Sequence, residues 1–129
     1  MLYDPAKFEA AMQPGGADML VWVVRGHADG RLRPTNFGWV DTDVAGNVTG
    51  VRVKLAPEDP ATAAMIVGAF SFRRAADFST AAAALVARNG RVNGEFYVDS
   101  LVTDPLAAGL DGRLFEIAHY LGWGTPNDL

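Results

Sequence analysis

Met19-Leu20-Val21-Trp22-Val23-Val24 is the stretch on which the fold turns. Six apolar residues, half of them valine, follow one another without alternation. A strand with one wet face alternates apolar and polar residues, so an unbroken run marks a strand covered on both faces. Covering both faces takes a layer on each side of the sheet. Upstream, Asp4-Pro5 opens a short helix: the aspartate caps free N–H groups and the proline fits the first helical position. Phe8 and Met12 then share a face, and Pro14-Gly15-Gly16 ends the element.

Downstream, residues 25–34 carry Gly26, Gly30 and Pro34 and read as a loop. Residues 37–41 and 48–54 read as two short strands, joined by a turn from Asp41 to Asn47. In the second of these, Val51 and Val53 alternate with Arg52 and Lys54, which predicts one wet face. Residues 65–72 form a further strand. Residues 75–88 form an alanine-rich helix with Phe78, Ala82 and Leu85 on one face, stopped by Gly90. Residues 95–108 read as a helix with Phe96, Leu101 and Val102 inward, and residues 114–117 as a strand. Gly122 to Pro126 reads as a rigid turn, and Asn127-Asp128-Leu129 as the start of a helix. Strands alternating with helices, plus one hairpin, give an α/β arrangement with a mixed sheet.

Composition narrows the functional classes. The 129 residues fit one domain, or a fragment of one that stops at a helix cap. Half are hydrophobic, enough for a packed core. The net charge is −4 and the 11 Lys and Arg are dispersed, which argues against a nucleic-acid partner. With no cysteine there is neither a disulfide framework nor a thiolate metal site, which suits the cytoplasm. No signal pattern opens the chain. The longest apolar runs, residues 19–24 and 63–70, are strand-sized and fall short of the ~20 residues a membrane span needs.

Asp41, Asp43 and Gly46 hint at a calcium loop, but Ala45 and Arg52 stand where ligands would be needed, so a hairpin turn is expected. His27 and His119 lack metal-ligand spacing, and no Gly-x-Ser-x-Gly elbow is present. Trp22, inside an apolar strand, reads as core; Trp39 and Trp123 could stack on a sugar ring.

More specific are the segments Val92-Asn93-Gly94-Glu95-Phe96-Tyr97-Val98-Asp99-Ser100-Leu101 and Tyr120-Leu121-Gly122-Trp123-Gly124-Thr125-Pro126-Asn127-Asp128-Leu129. With Asn36-Phe37-Gly38-Trp39-Val40, Lys54 and Ile66-Val67-Gly68-Ala69-Phe70, in that order along the chain, they resemble the C-terminal half of bacterial sugar-1-phosphate nucleotidyltransferases. These are the glucose-1-phosphate thymidylyltransferase-like enzymes and their capsule-biosynthesis relatives.

The resemblance implies a doubly wound nucleotide-diphospho-sugar transferase fold. It implies a reaction in which a sugar 1-phosphate attacks the α-phosphate of an NTP, giving an NDP-sugar for polysaccharide biosynthesis and pyrophosphate. This chain would supply the sugar-phosphate side. The N-terminal half, with its Gly-rich nucleotide loop, is not in this sequence, so the isolated chain is expected to be inactive. An alternative is a non-catalytic sugar-phosphate-binding or regulatory module of the same fold. A face left open by the missing half would favour self-association into a homo-oligomer.

Residue by residue, the resemblance implies that Lys54 neutralises the attacking phosphate, because two anions must approach each other. It implies that Gly38 and Gly68 let the ligand lie against the backbone, as strand glycines can. Glu95 would accept sugar hydroxyls, although the helix start expected there would also favour a carboxylate. Asp99, one turn on, together with Gly124 and Thr125, completes the expected substrate-binding set. Two departures stand out. Val53 replaces a glutamate that holds sugar hydroxyls in thymidylyltransferases, and Gly122 stands where those enzymes carry an aspartate ligand to Mg²⁺. Mg²⁺ is therefore expected for the intact enzyme, without a sure ligand in this chain.

Overall fold

The structure, a computed structural model, describes residues 1–122. Gly124, Thr125 and the helix start expected at 127–129 lie outside the described residues. Four α-helices, α1 (Pro5–Ala11), α2 (Ala28–Leu32), α3 (Ala75–Ala87) and α4 (Thr103–Ala107), accompany five strands. These are β1 (Met19–Val24), β2 (Gly38–Thr42), β3 (Val48–Val53), β4 (Ala64–Phe72) and β5 (Gly112–Glu116). They form one mixed sheet in the order β3-β2-β4-β1-β5, antiparallel except for the parallel pair β1/β5.

β1 has the predicted bounds and is buried at all six positions. Its alternate side chains feed two cores. Leu20, Trp22 and Val24 pack with Trp39, Met65, Phe115 and Phe8 of α1 on one face. Met19, Val21 and Val23 pack with Val40, Ile66, Val102 and Leu106 on the other. Each such side chain withdrawn from water contributes about 1.5–3 kcal/mol, so this strand anchors the domain. At α1, Asp4 Oδ1 accepts the Ala6 N–H at 2.9 Å and the Lys7 N–H at 3.4 Å, with Pro5 in the first turn. The β2–β3 turn consumes Asp43: its Oδ1 takes the N–H groups of Ala45 and Asn47, and its Oδ2 takes the Asn47 amide, all at 2.9 Å. These bonds, the Asn47 side chain first, hold the Asp43 carboxyl below its usual value.

Three expectations are corrected. The stretch 25–34 is not all loop but contains α2. Gly30 lets that short helix lie flat, since a methyl there would meet Met65 Sδ at 2.7 Å and Trp39 Cη2 at 3.1 Å. Tertiary contact thus overrides the poor helix propensity of glycine. The stretch 95–108 is not one helix. Asn93 (φ 50°) and Gly94 (φ 81°) form a tight two-residue turn closed by backbone bonds of 2.9 and 3.0 Å between Val92 and Glu95. Asn-Gly is the dipeptide that best tolerates two left-handed residues in succession. Extended backbone follows at Tyr97, then a 3-10 turn (Val98–Val102), then α4, where Pro105 sits in the first turn and bars a continuous helix from the upstream side. Phe96 is therefore exposed instead of inward. On α3 the buried pair is Ala81 and Leu85, while Phe78 is half-exposed with its ring against Phe72.

The sheet registers bring strand ends to one rim. Val24 lies opposite Met65, Met65 opposite Trp39, and Gly38 opposite Val53, with Glu116 beside Val23. The candidate site is built on this rim.

Candidate functional site

Lys54 follows the last residue of β3, where the Gly38–Val53 rung ends the β2/β3 ladder. Its φ is 58°, a left-handed conformation that costs a non-glycine residue about 1–2 kcal/mol. Its N–H reaches Phe37 O at 3.3 Å, and its ammonium donates to Asn36 O. The same ammonium lies 5.1 Å from the centroid of the Tyr97 ring. The lysine is half-buried and fixed in direction, quite unlike a mobile surface cation.

Tyr97 in turn donates its phenol proton to Glu95 Oε2 at 2.7 Å. That bond, with burial and the neighbouring negative charge, holds the phenol pKa above its usual value. Glu95 is exposed and sits at the end of the Asn-Gly turn, so the helix-dipole explanation for a carboxylate at this position falls away. Asp99, on the 3-10 turn, presses its carboxylate against Gly38. A methyl at Gly38 would overlap Asp99 Oδ2 and lie 2.9 Å from its Cγ and 3.1 Å from Ile66 Cδ1. What lies against this glycine is thus a carboxylate of the chain itself. Burial pushes the Asp99 carboxyl above the ordinary aspartate value, and the charge of Lys54 pulls it back down.

Lys54 and Glu95 are therefore linked through Tyr97, while Asp99 lies against Gly38 and within reach of the Lys54 charge. Gly68 stands apart. It is exposed, with φ 80°, in the β4 bulge opposite Trp22, and nothing lies within 4 Å of where its Cβ would be.

Beside Lys54 opens a cleft of about 360 Å³ lined by Val51, Val53, Arg88, Arg91 and Ser100. Gly38 and Glu95 do not line it. The two arginines were not singled out by sequence reasoning, since both fall in or after a helix with an exposed face. Arg88 is held by both oxygens of Asp104 at 3.0 Å, and Arg91 by Asn89 and Gly94 O, with its guanidinium 4.1 Å from the Phe96 ring. With Lys54 they line the cleft with three cationic side chains, the charge of Arg88 being offset by Asp104.

A second crevice, of about 570 Å³, lies at the carboxyl ends of the parallel pair β1 and β5 and is lined by Arg25, His27, His119 and Tyr120. Open α/β sheets bind ligands at such ends. The His27 ring meets Tyr120 O at 3.3 Å through Nε2, while its buried Nδ1 has no hydrogen-bond partner. No signal in the sequence distinguished this histidine.

Among the described residues no three His, Asp or Glu side chains converge on a point that could hold a metal ion. These residues alone build no Mg²⁺ site, and nothing below is routed through a metal. Among the described residues no helix is long and apolar enough to cross a membrane.

No protein family and no curated protein matches the chain in sequence. In structure it is similar to a nucleoside-diphosphate-sugar pyrophosphorylase from Vibrio cholerae RC9, with a TM-score of 0.70 at 20% identity. The likeness covers 99% of this chain and 48% of that one, so the chain spans about half the length of the protein it resembles and shares its α/β fold over that half.

Proposed function

We propose that this chain is the sugar-phosphate-binding half of a sugar-1-phosphate nucleotidyltransferase. In the reaction a phosphate oxygen of the sugar 1-phosphate forms a bond to the α-phosphorus of an NTP. The α–β phosphoanhydride bond breaks, and pyrophosphate leaves with its electrons. The task of this half is to hold one anion while another approaches. A lysine held in direction by its contacts meets that need better than a freely moving one.

The observation that carries the reading is Lys54 itself: a cation in a strained backbone conformation, braced by Asn36 O and Tyr97 beside a cleft walled by Arg88 and Arg91. Asn89 and Asn93 share this conformation, which asparagine tolerates, whereas at a lysine it is strain that points to a functional constraint. The shared fold with a pyrophosphorylase supports the same reading. Lys54 is assigned to the phosphate, and Glu95, Asp99, Gly124 and Thr125 to the sugar side; Gly68, which stands apart, and Gly38, whose space the Asp99 carboxylate fills, are left out of it. The NTP, its base recognition and Mg²⁺ are assigned to a nucleotide-binding half.

The test is calorimetry of the chain with hexose 1-phosphates, followed by the same titrations with Lys54→Ala. Loss of one charge-assisted contact should weaken binding about tenfold or more while thermal unfolding confirms the fold. Unchanged affinity in the variant would remove Lys54 from the site. Saturable binding that never leads to turnover, even with a nucleotide-binding half and NTP supplied, would favour the non-catalytic module instead.

A further inference from the structure

We propose that Asn93-Gly94 is a self-modification site: the turn loses ammonia unaided and leaves a carboxylate in the cleft beside Lys54. The chemical step stands on the turn alone. Its effect on ligand binding rests on the phosphate reading above.

The sequence contains two Asn-Gly dipeptides, Asn89-Gly90 and Asn93-Gly94. Such a pair cyclises readily because glycine offers a backbone nitrogen with no side chain to block its approach. At the second pair, the Gly94 nitrogen gives up its proton to water and bonds to the side-chain carbonyl carbon of Asn93. The bond from that carbon to the amide nitrogen breaks, and the nitrogen takes up a proton and leaves as ammonia. Water then opens the cyclic imide at either carbonyl, giving an aspartate or an isoaspartate. Water is the sole co-reactant, and nothing is oxidised or reduced.

Both asparagines are exposed and both have left-handed backbone, with φ of 51° at Asn89 and 50° at Asn93. They differ in what holds the reacting groups. At the first pair the Gly90 N–H is donated to Leu85 O at 3.0 Å, and the Asn89 side-chain oxygen accepts Arg91 Nε at 2.9 Å. Gly90 is also crowded by the side chains of Arg88 and Leu85. Cyclisation there breaks both bonds in a packed setting. At the second pair, among the described residues no group bonds the Gly94 N–H or the Asn93 side-chain amide. Nothing lies within 4 Å of where a Gly94 Cβ would be. The turn is closed by the bonds between Val92 and Glu95, and an exposed turn of this kind opens at little cost. Arg91 adds a favourable charge. Its guanidinium donates to Gly94 O at 2.9 Å and stands beside the amide that must lose its proton.

The product changes the cleft. Asn93 lines it together with Lys54, Arg88 and Arg91, and Arg88 is already paired with Asp104. A carboxylate made at position 93 adds a negative charge beside the remaining cations, so an entering anion meets a like charge. The isoaspartate also inserts a methylene into the backbone of the turn.

Trypsin separates the two asparagines, placing Asn89 on residues 89–91 and Asn93 on residues 92–113. The full chain is aged at mildly alkaline pH in heavy-oxygen water and digested in ordinary water, so that label marks what formed in the folded protein. Residue 93 should take up label about tenfold or more faster than residue 89, because each hydrogen bond lost at Asn89 adds to the barrier. In urea, where those bonds are gone, the two rates should approach each other. Calorimetry with inorganic phosphate reads the consequence. Aged wild type and fresh Asn93→Asp should bind about threefold or more weakly than fresh wild type. Asn93→Gln, whose larger ring closes far more slowly, should keep its affinity on ageing.

Labelling at residue 93 no faster than at residue 89 in the folded chain overturns the modification site. Labelling at residue 93 with phosphate affinity unchanged, in the aged chain and in Asn93→Asp alike, overturns the effect on binding and leaves the modification standing. A fresh wild-type chain that binds no phosphate overturns the phosphate reading and the binding effect together, and the labelling still decides the modification.

Discussion

Strand β1 and the segment 92–102 contribute to the same domain by different means. β1 is buried at every position, and its six side chains divide between two cores on opposite faces of the sheet. The segment 92–102 has a left-handed Asn-Gly turn, extended backbone and a 3-10 turn. Only its end, from Ser100 to Val102, is buried. The first region is held by apolar area, which tolerates little loss and asks for no particular partner. The second is held by turn chemistry, by the packing of Asp99 against Gly38 and by the Tyr97 ring beside the Lys54 ammonium. The proposed ligand contacts Glu95 and Asp99 fall on this segment, in the part whose position is not dictated by the core.

The sharpest way to break that contrast is to remove volume from each region. Trp22 is buried, packs 4.6 Å from the Phe115 ring centroid and donates to Ser71 Oγ at 2.9 Å. Trp22→Ala should cost about 3–5 kcal/mol in urea unfolding. Val98, on the second region, is exposed, and Val98→Ala should stay within about 0.5 kcal/mol. Similar losses at the two sites would mean that the segment 92–102 is core after all.

A smaller effect tests whether Asp99 truly leans on Gly38. Gly38→Ala inserts a methyl into the carboxylate and should destabilise by about 1–3 kcal/mol, as overpacking does. In an Asp99→Ala background most of that cost should vanish, leaving only the milder contact with Ile66 Cδ1 at 3.1 Å. Additive effects in this double-mutant cycle would show that the two residues do not touch.

How much could be read from the sequence follows the same division. The strand 19–24, the capped helix at Asp4-Pro5 and the Asp43 turn each state their structure locally, through hydrophobic pattern or cap chemistry. The helix read across 95–108 failed because apolar spacing was weighed above Asn93-Gly94 and Pro105, two local signals that forbid it. α2 was beyond local reading, since Gly30 is favourable there only because Met65 and Trp39 lie beneath it. At the site, Lys54, Gly38, Glu95 and Asp99 were nameable through the resemblance. That Asp99 would fill the space over Gly38, and that Arg88 and Arg91 would wall a cleft with Lys54, depends on contacts between residues far apart along the chain.

The finest distinction concerns charge. Burial holds the Asp99 carboxyl above the ordinary aspartate value, with Lys54 opposing. A carboxyl whose folded pKa exceeds its unfolded one binds its proton more tightly when folded. Its contribution to stability is full below the unfolded value and is lost as pH climbs through the raised one. Tyr97, Glu95 and Lys54 are the other titratable groups nearby. Asp99→Asn removes the titration while keeping the size. Unfolding curves of the two proteins should therefore run in parallel near neutrality, with the variant the more stable, and converge as the pH is lowered into the carboxyl range. Burying a carboxylate without a hydrogen-bond donor from another residue costs stability, so removing its charge should stabilise the fold. A variant less stable than wild type at neutral pH would show that the ionised carboxylate is already satisfied without a ligand. The division between a strand held by apolar burial and a segment held by turn chemistry would then be misplaced at this residue.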